Sequence, residues 1–383
     1  MTNIFPLYLD CNATTPLDPR VREVMLHFFD VDFGNAGSRT HEYGTRAKQA
    51  VQHARDQVAT LLKCERDEIT FTSGATEANN LALLGLAAYG EEVGRRHIVS
   101  TQIEHKAVLE PMLELQRRGF TVVLVQPTRG GWVDAAAVAA ALRPDTLLVS
   151  VMHANNETGV LQPIAEIAEV LKDHPAFLHT DAAQTFGKTI PDLQNKRVDL
   201  ISTSGHKIYG PKGIGVLVAR RRGYERIPLK PLMFGGGQER GLRPGTLPVP
   251  LIAAFGLSAE LAGKEWEDRA AKCRAFRENL LAALAPFNPV FHGDPARTMP
   301  HVLNLAFPGI DSEALMVALK HEVAISNGSA CTSANYKPSH VLEAMGLTPD
   351  EIRCSVRWSW CHITEHRQSN NIVQILSTLV PPR

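Results

Sequence analysis

Through its middle the chain alternates short apolar runs with helical patterns, and that alternation limits the possible folds more than any other feature of the sequence. The runs occupy 68–72, 97–101, 121–125, 146–152, 176–180, 198–203 and 214–219. Helical spacing fills most of the gaps, at 79–89, 107–118, 135–142 and 164–172. Runs that are apolar throughout belong to strands buried on both faces, so helices must cover both sides of one mostly parallel sheet. In such a sheet ligands collect outside the carboxyl ends of the strands. The residues just after each run are therefore the candidates for chemistry.

The flanks extend this α/β plan. Asp18-Pro19 opens a helical pattern that runs to Phe28, and 45–62 reads as a second, longer helix. Past a glycine-rich loop at 235–246, a helical pattern from Pro250 to about Leu284 leads out of the sheet. The remainder predicts strands at 301–307, 323–326 and 352–360 and helices at 312–320 and 339–345, a smaller α+β unit. The expected division is a large domain over 16–258 and a small one made of 1–15 and 259–383, with 383 residues enough for both.

Composition excludes some classes of function. Lys+Arg and Asp+Glu are equal at 40 each, so no net field points to direct nucleic-acid binding. The triplet Arg220-Arg221-Arg222 reads as a solvated turn. No apolar run is long enough to span a bilayer and no leader pattern precedes Leu7, which predicts a cytoplasmic protein without a membrane partner. The six cysteines are scattered and form no C-x-x-C pair, so reduced thiols are expected.

The strand ends carry a consistent set of groups. After the first run, Thr72-Ser-Gly-Ala-Thr-Glu77 places the amides of Ala75 and Thr76 at a helix start, where unpaired N–H groups and the helix dipole attract an anion. The next offers His105 in Glu104-His-Lys106, and a later one Asn156 in Asn155-Asn-Glu157. Asp181 and Gln184 follow the run at 176–180. Ser204-Gly-His-Lys207 then presents one amine at a strand end, with His206 beside it.

Taken one at a time, most of these are ordinary: a solvated lysine, an N-cap, a structural histidine. Together they are the parts of a pyridoxal phosphate site. Such a site needs an amine for the Schiff base, an acid to keep the ring nitrogen protonated, and a helix start for the phosphate. No H-E-x-x-H and no P-loop pattern offers a metal or nucleotide explanation of the same residues. Farther on, Cys331 sits among small polar residues and is the best nucleophile candidate of the six thiols. Cys354 and Cys361 fall in or near an apolar strand pattern and read as core. Arg357 is the one charge in that strand, either a carboxylate clamp or an ordinary salt bridge.

Ser204-Gly-His-Lys-Ile-Tyr-Gly-Pro-Lys-Gly213, Thr72–Glu77, Glu104-His-Lys106, Asp181-Ala-Ala-Gln184, Arg243-Pro-Gly-Thr246 and Gly328-Ser-Ala-Cys-Thr-Ser333 together resemble the cysteine desulfurases of the NifS/IscS type. These are class V aminotransferase-like enzymes with the fold type I PLP-dependent architecture, and the resemblance covers nearly the whole chain. It implies PLP on Lys207, which also moves the Cα proton. It further implies His105 stacked on the ring, Asp181 on the ring nitrogen and Gln184 near the ring oxygen. Phosphate contacts would come from Ala75, Thr76, Ser204 and His206, with Thr246 delivered by the second subunit of a homodimer. Asn156 and Arg357 would hold L-cysteine, and Cys331 would take its sulfur as a persulfide, release alanine and pass the sulfur to an acceptor protein.

Two positions depart from the family pattern: Ala36 stands where proline is common, and Pro244 where serine is usual. Leu9-Asp-Cys-Asn-Ala-Thr-Thr15 and Trp358-Ser-Trp-Cys-His362 resemble the DndA-type subgroup that serves DNA phosphorothioation. Iron–sulfur assembly, tRNA thiolation and selenocysteine lysis are the alternative readings, as are an aminotransferase and a non-catalytic scaffold.

Overall fold

The structure, a computed structural model, describes residues 5–327, 338–365 and 369–379. Its strands, in chain order, are β1 (Leu7–Tyr8), β2 (Ile69–Thr72), β3 (His97–Thr101), β4 (Thr121–Val125), β5 (Thr146–Ser150), β6 (Phe177–Asp181), β7 (Leu200–Ser204), β8 (Gly215–Ala219), β9 (Val290–Phe291), β10 (Val302–Ala306), β11 (Val323–Ala324) and β12 (Ser355–Ser359). A seven-stranded sheet runs β2-β8-β7-β6-β5-β3-β4. The pairs β3–β4, β3–β5, β5–β6 and β6–β7 are parallel, and β8 alone runs against its neighbours β2 and β7. This is the mostly parallel sheet that the apolar runs predict.

Burial follows the same logic. Every residue of β3, β5, β6 and β7 is buried, because helices cover both faces, whereas the edge strand β4 is largely exposed. Chain direction along the sheet reverses between β3 and β5, since β4 lies outside β3 while β6 and β7 follow on the other side of β5. A crevice forms at such a switch point, beyond the carboxyl ends of the strands.

The Val249–Leu284 helix links two cores. Val249, Ile252 and Phe255 pack in the core under the seven-stranded sheet, while Phe276, Leu280 and Leu284 pack with Trp358 and Trp360 in a separate cluster. That second cluster backs the antiparallel sheet β12-β10-β9. The chain's beginning joins it: β1 pairs with β11, and Asp10 bridges to Ser359. Among the described residues no helix is long and apolar enough to cross a membrane.

Three local expectations need correction. The helix predicted over 79–89 is two helices, Ala75–Leu84 and Ala87–Glu92. They part at Gly85, whose carbonyl accepts from the Lys230 N–H at 2.9 Å. The strand predicted over 352–360 begins only at Ser355, because Thr348 and Glu351 form a reciprocal capping box that starts a helix over Pro349–Arg353. Finally, Arg220 to Arg222 are not a solvated turn. Arg220 is buried and donates to the carbonyls of Leu62 and Leu193, both at 2.8 Å, while Arg222 grips Asp199 at 2.8 Å.

Candidate active site

The site is built on the turn that follows β7. Gly205–Lys207 form one 3-10 turn, and Tyr209 just beyond it is held at φ 64°, a left-handed conformation that costs on the order of 1 kcal/mol. What holds it is the N-terminal strap. The Thr15 N–H donates to the His206 carbonyl and the Tyr209 N–H donates to Thr15 Oγ1, both at 2.9 Å. Lys207 Nζ in turn donates to the carbonyl of Ala13 at 3.0 Å and to that of Asn12.

Lys207 opens into a cavity of about 400 Å³ beyond the carboxyl ends of β2, β3, β5, β6 and β7. Ala75, Thr76, His105, Asn156, Asp181, Gln184, Ser204, His206 and Arg357 all line it, as the sequence reading expected of one site. Thr246 does not: it is exposed on its own chain, outside the cavity. Cys331 lies outside the described residues.

At the end of β6, Asp181 accepts from Asn79 Nδ2 at 2.7 Å and from the Ala183 N–H at 2.9 Å. Donors on both oxygens fix the orientation of the carboxylate at the cavity wall. His105 caps the Lys106–Arg117 helix, its Nδ1 accepting from the Ala107 N–H at 3.1 Å. That bond leaves the proton of the neutral ring on Nε2. Burial lowers the pKa of His105, and burial together with the neighbouring lysines lowers that of His206 to about 4. Two neutral imidazoles therefore flank the amine at physiological pH.

Across the cavity, the helix over Ala75–Leu84 points its N-terminus at Ser204. Gly74 precedes it at φ 152°, a conformation open to glycine, and a Cβ on Gly215 would lie 2.7 Å from the Gly74 backbone. That close approach of β8 brings the helix start beside the lysine turn, where its first N–H groups face a ligand anion.

Of the two alternatives posed for Arg357, the structure shows the salt bridge. Its guanidinium is ion-paired with Asp10 at 2.6 Å and donates to the Asn156 carbonyl at 3.0 Å, while Nε is buried with no partner among the described residues. The salt bridge fixes the fork, and the fork faces the cavity. Gln184 gives one N–H to the Asn12 carbonyl at 3.1 Å, and its Oε1 is likewise buried with no partner among the described residues. A helix start, a paired carboxylate, a histidine and the Lys207 amine fit PLP, with polar atoms of Arg357 and Gln184 that have no partner among the described residues left for ligands.

Sequence reasoning missed three residues here. Asn79 stands one turn into the Ala75–Leu84 helix, and its register with Ala75 was the available signal. Asp10 and Asn12 lay in a polar cluster that followed an apolar start, but their partners are Arg357 and Lys207, far along the chain.

The class-V aminotransferase family matches residues 7–370. A cysteine desulfurase IscS from Anaeromyxobacter dehalogenans is 48% identical over 355 residues, 92% of this chain and 87% of that one. The crystal structure of DndA from Streptomyces lividans is 51% identical with a TM-score of 0.81, covering 91% of this chain and 98% of that one. A structure described as SspA in complex with cysteine is 35% identical with a TM-score of 0.80, covering 92% and 98%. With that breadth of identity laid over the cavity just described, the chain belongs to the class-V aminotransferases as a PLP-dependent cysteine desulfurase.

Proposed function

We propose that this enzyme takes sulfur from L-cysteine at the Lys207 cavity, stores it on Cys331 and passes it to an acceptor protein of a DNA phosphorothioation system. The observation that carries the first part is the gathering of Lys207, Asp181, His105 and Arg357, drawn from both sheets, around one cavity. The last part rests on the similarity to DndA and on the Leu9–Thr15 and Trp358–His362 segments.

Pyridoxal 5'-phosphate supplies the electron sink that weakens the Cβ–S bond of cysteine. Asp181 holds the proton on the ring nitrogen, and the helix start at Ala75 and Thr76, with Ser204 and His206, holds the phosphate. Arg357, steadied by Asp10, clamps the substrate carboxylate, with Asn156 beside it. Lys207 moves the proton at the substrate Cα, and the neutral His105 ring keeps its flat face to the cavity. Cys331 accepts the sulfur: cysteine plus the Cys331 thiol become alanine plus the Cys331 persulfide, so no external oxidant or reductant enters.

Thr246 joins the phosphate site of a second copy in a homodimer. Its exposure on its own chain supports this, as does the apolar surface of Leu232, Met233 and Phe234 on the same segment, Phe234 being 89% exposed. We assign 16–258 to the large domain and 1–15 with 259–383 to the small one, the location being cytoplasmic.

The test is alanine formed from L-cysteine by the holoenzyme and by Cys331→Ala, followed by mapping of sulfane sulfur on the protein. Alanine from the unsubstituted enzyme alone, with sulfur on Cys331, supports the proposal; equal alanine from both overturns the role of Cys331. The pathway is tested by expression in cells lacking the desulfurase of a phosphorothioation system. Reappearance of phosphorothioate dinucleotides in digested DNA supports the assignment, and their absence beside restored iron–sulfur enzymes overturns it.

A further inference from the structure

A second sulfur pair lies behind the strap that touches Lys207. Cys11 precedes Asn12, and Cys361 follows β12 by two residues; they are 1% and 3% exposed and pack together with Tyr209. The backbone fixes both. The Cys11 N–H donates to the Ser359 carbonyl at 2.9 Å, and the Cys361 N–H donates to Thr364 Oγ1 at 3.0 Å. The two side chains meet with Tyr209 in one small buried cluster. Cys361 Sγ also lies 3.5 Å from Thr364 Oγ1.

Cys361 differs in charge from Cys64 and Cys273, and the pair shares a cavity. The neighbouring Cys11 thiol lowers the pKa of Cys361, and the Thr364 hydroxyl and the Lys188 charge add to it; Cys11 is raised in return. Burial instead pushes Cys64 and Cys273 up to about 12, where the reactive thiolate is scarce. Cys11 and Cys361 also line a cavity of about 510 Å³ that is separate from the Lys207 site and is bounded by Leu7, Tyr8, Pro16 and Ile363. That cavity is the side from which a small polar oxidant would approach the pair.

We propose that Cys11 and Cys361 form a peroxide-sensitive dithiol that closes to an intramolecular disulfide. The Cys361 thiolate attacks a hydroperoxide, the O–O bond breaks, and Cys361 becomes a sulfenic acid as hydroxide or alkoxide leaves. The Cys11 thiol then attacks the Cys361 sulfur, its proton joins the departing hydroxyl, and water is released. Two thiol groups lose two electrons and the peroxide gains them. Closure brings two side chains that already pack in one cluster to a covalent S–S length of about 2.05 Å. Because Cys11 is bonded to Asn12, whose carbonyl receives both Lys207 and Gln184, the disulfide forms one residue from the active-site strap.

The experiment uses the Cys331→Ala holoenzyme, which removes the thiol assigned to catalysis, and treats it with hydrogen peroxide before alkylation and peptide mass analysis. The expected result is simultaneous loss of the alkylated Cys11 and Cys361 peptides and gain of one linked peptide two hydrogens lighter than the pair. Cys64, Cys273 and Cys354 stay alkylated. In the same background Cys11→Ser leaves a sulfenic acid on Cys361 that dimedone traps, and Cys361→Ser leaves Cys11 alkylatable. Full alkylation of Cys11 and Cys361 after peroxide, or a disulfide from either to Cys273, overturns the proposal. The linked-peptide measurement needs no substitution at either cysteine, so it stands even where a serine variant fails to fold.

Discussion

The seven-stranded sheet and the three-stranded sheet meet at the Lys207 cavity and supply it by different routes. The larger sheet gives residues from its strand ends: His105 beyond β3, Asp181 closing β6, Lys207 in the turn after β7. The smaller gives Arg357 from the middle of β12, where it pairs across the sheet with Asn304 and sideways with Asp10. Strand ends are free to carry chemistry because their side chains leave the covered part of the sheet. A charge in mid-strand is buried among apolar neighbours, and it survives there because a carboxylate and a carbonyl hold it. The first region is thus positioned by strand ends and steadied by the N-terminal strap and Asn79, whereas the second owes its position as well as its support to contacts between distant parts of the chain.

If that division is right, substitutions in the two regions fail differently. Lys207→Ala should lower kcat by about 10³-fold or more, since removing a positioned acid–base group costs about 10² to 10⁴ and the amine has a second duty to the cofactor. A variant that keeps a tenth of its turnover would break the contrast. Arg357→Ala should act on substrate binding: losing one partner of a buried charge pair costs about 2–5 kcal/mol, so KM for L-cysteine should rise by about 10² with a smaller change in kcat. Asp10→Asn removes only the brace, and a KM rise of about tenfold in steady-state kinetics would place Asp10 as the group that positions Arg357. An unchanged KM would mean that the Asn156 carbonyl suffices.

Asn79→Ala probes the larger sheet in the same way. It removes one of the two donors on Asp181, worth about 1.5–3 kcal/mol for a charged acceptor, and should weaken PLP retention by about tenfold in equilibrium dialysis. Loss of stability without loss of cofactor affinity would assign Asn79 to packing alone.

A last test, read in stability rather than kinetics, concerns one buried carboxyl of the larger sheet. Glu104 accepts from Thr101 and from the Met152 N–H, both at 2.8 Å, yet its Oε2 is buried with no partner among the described residues, and burial raises its pKa to about 8. A carboxyl raised in the folded state binds a proton that the unfolded chain has lost above about pH 4.5. Folding stability from Glu104 is therefore present at low pH and is lost as pH rises toward 8. Glu104→Gln, which cannot ionise, should gain on the unsubstituted protein by roughly 1 kcal/mol per pH unit between pH 5.5 and 8. A stability difference that is flat with pH would show Glu104 to be ionised in the fold.

The same division explains how much could be read from sequence. Lys207, Asp181 and His105 were legible because each follows an apolar run and begins a polar turn, a pattern carried by a few consecutive residues. The sheet was legible for the same reason, strand by strand. Asp10, Asn12 and Asn79 were not, because what makes them functional is a partner elsewhere in the chain: Arg357, Lys207 and Asp181. Arg220 and Arg222 were misread as solvated because the triplet's charge says nothing of the Leu62 and Leu193 carbonyls or of Asp199, which meet only in the fold. The helix over Pro349–Arg353 is a different case. Its capping box, Thr348-Pro-Asp-Glu351, stood in the sequence and was outweighed by the apolar pattern that followed.

The most direct measurement fixes the cofactor to the amine that holds it. The holoenzyme is reduced with borohydride, which converts an imine between PLP and a lysine into a stable amine, and is then digested and its peptides mapped by mass. A phosphopyridoxyl group on Lys207, and on no other lysine, is the predicted result. The same group on Lys212, which also lines the cavity, or on Lys188 behind the strap, would contradict the account.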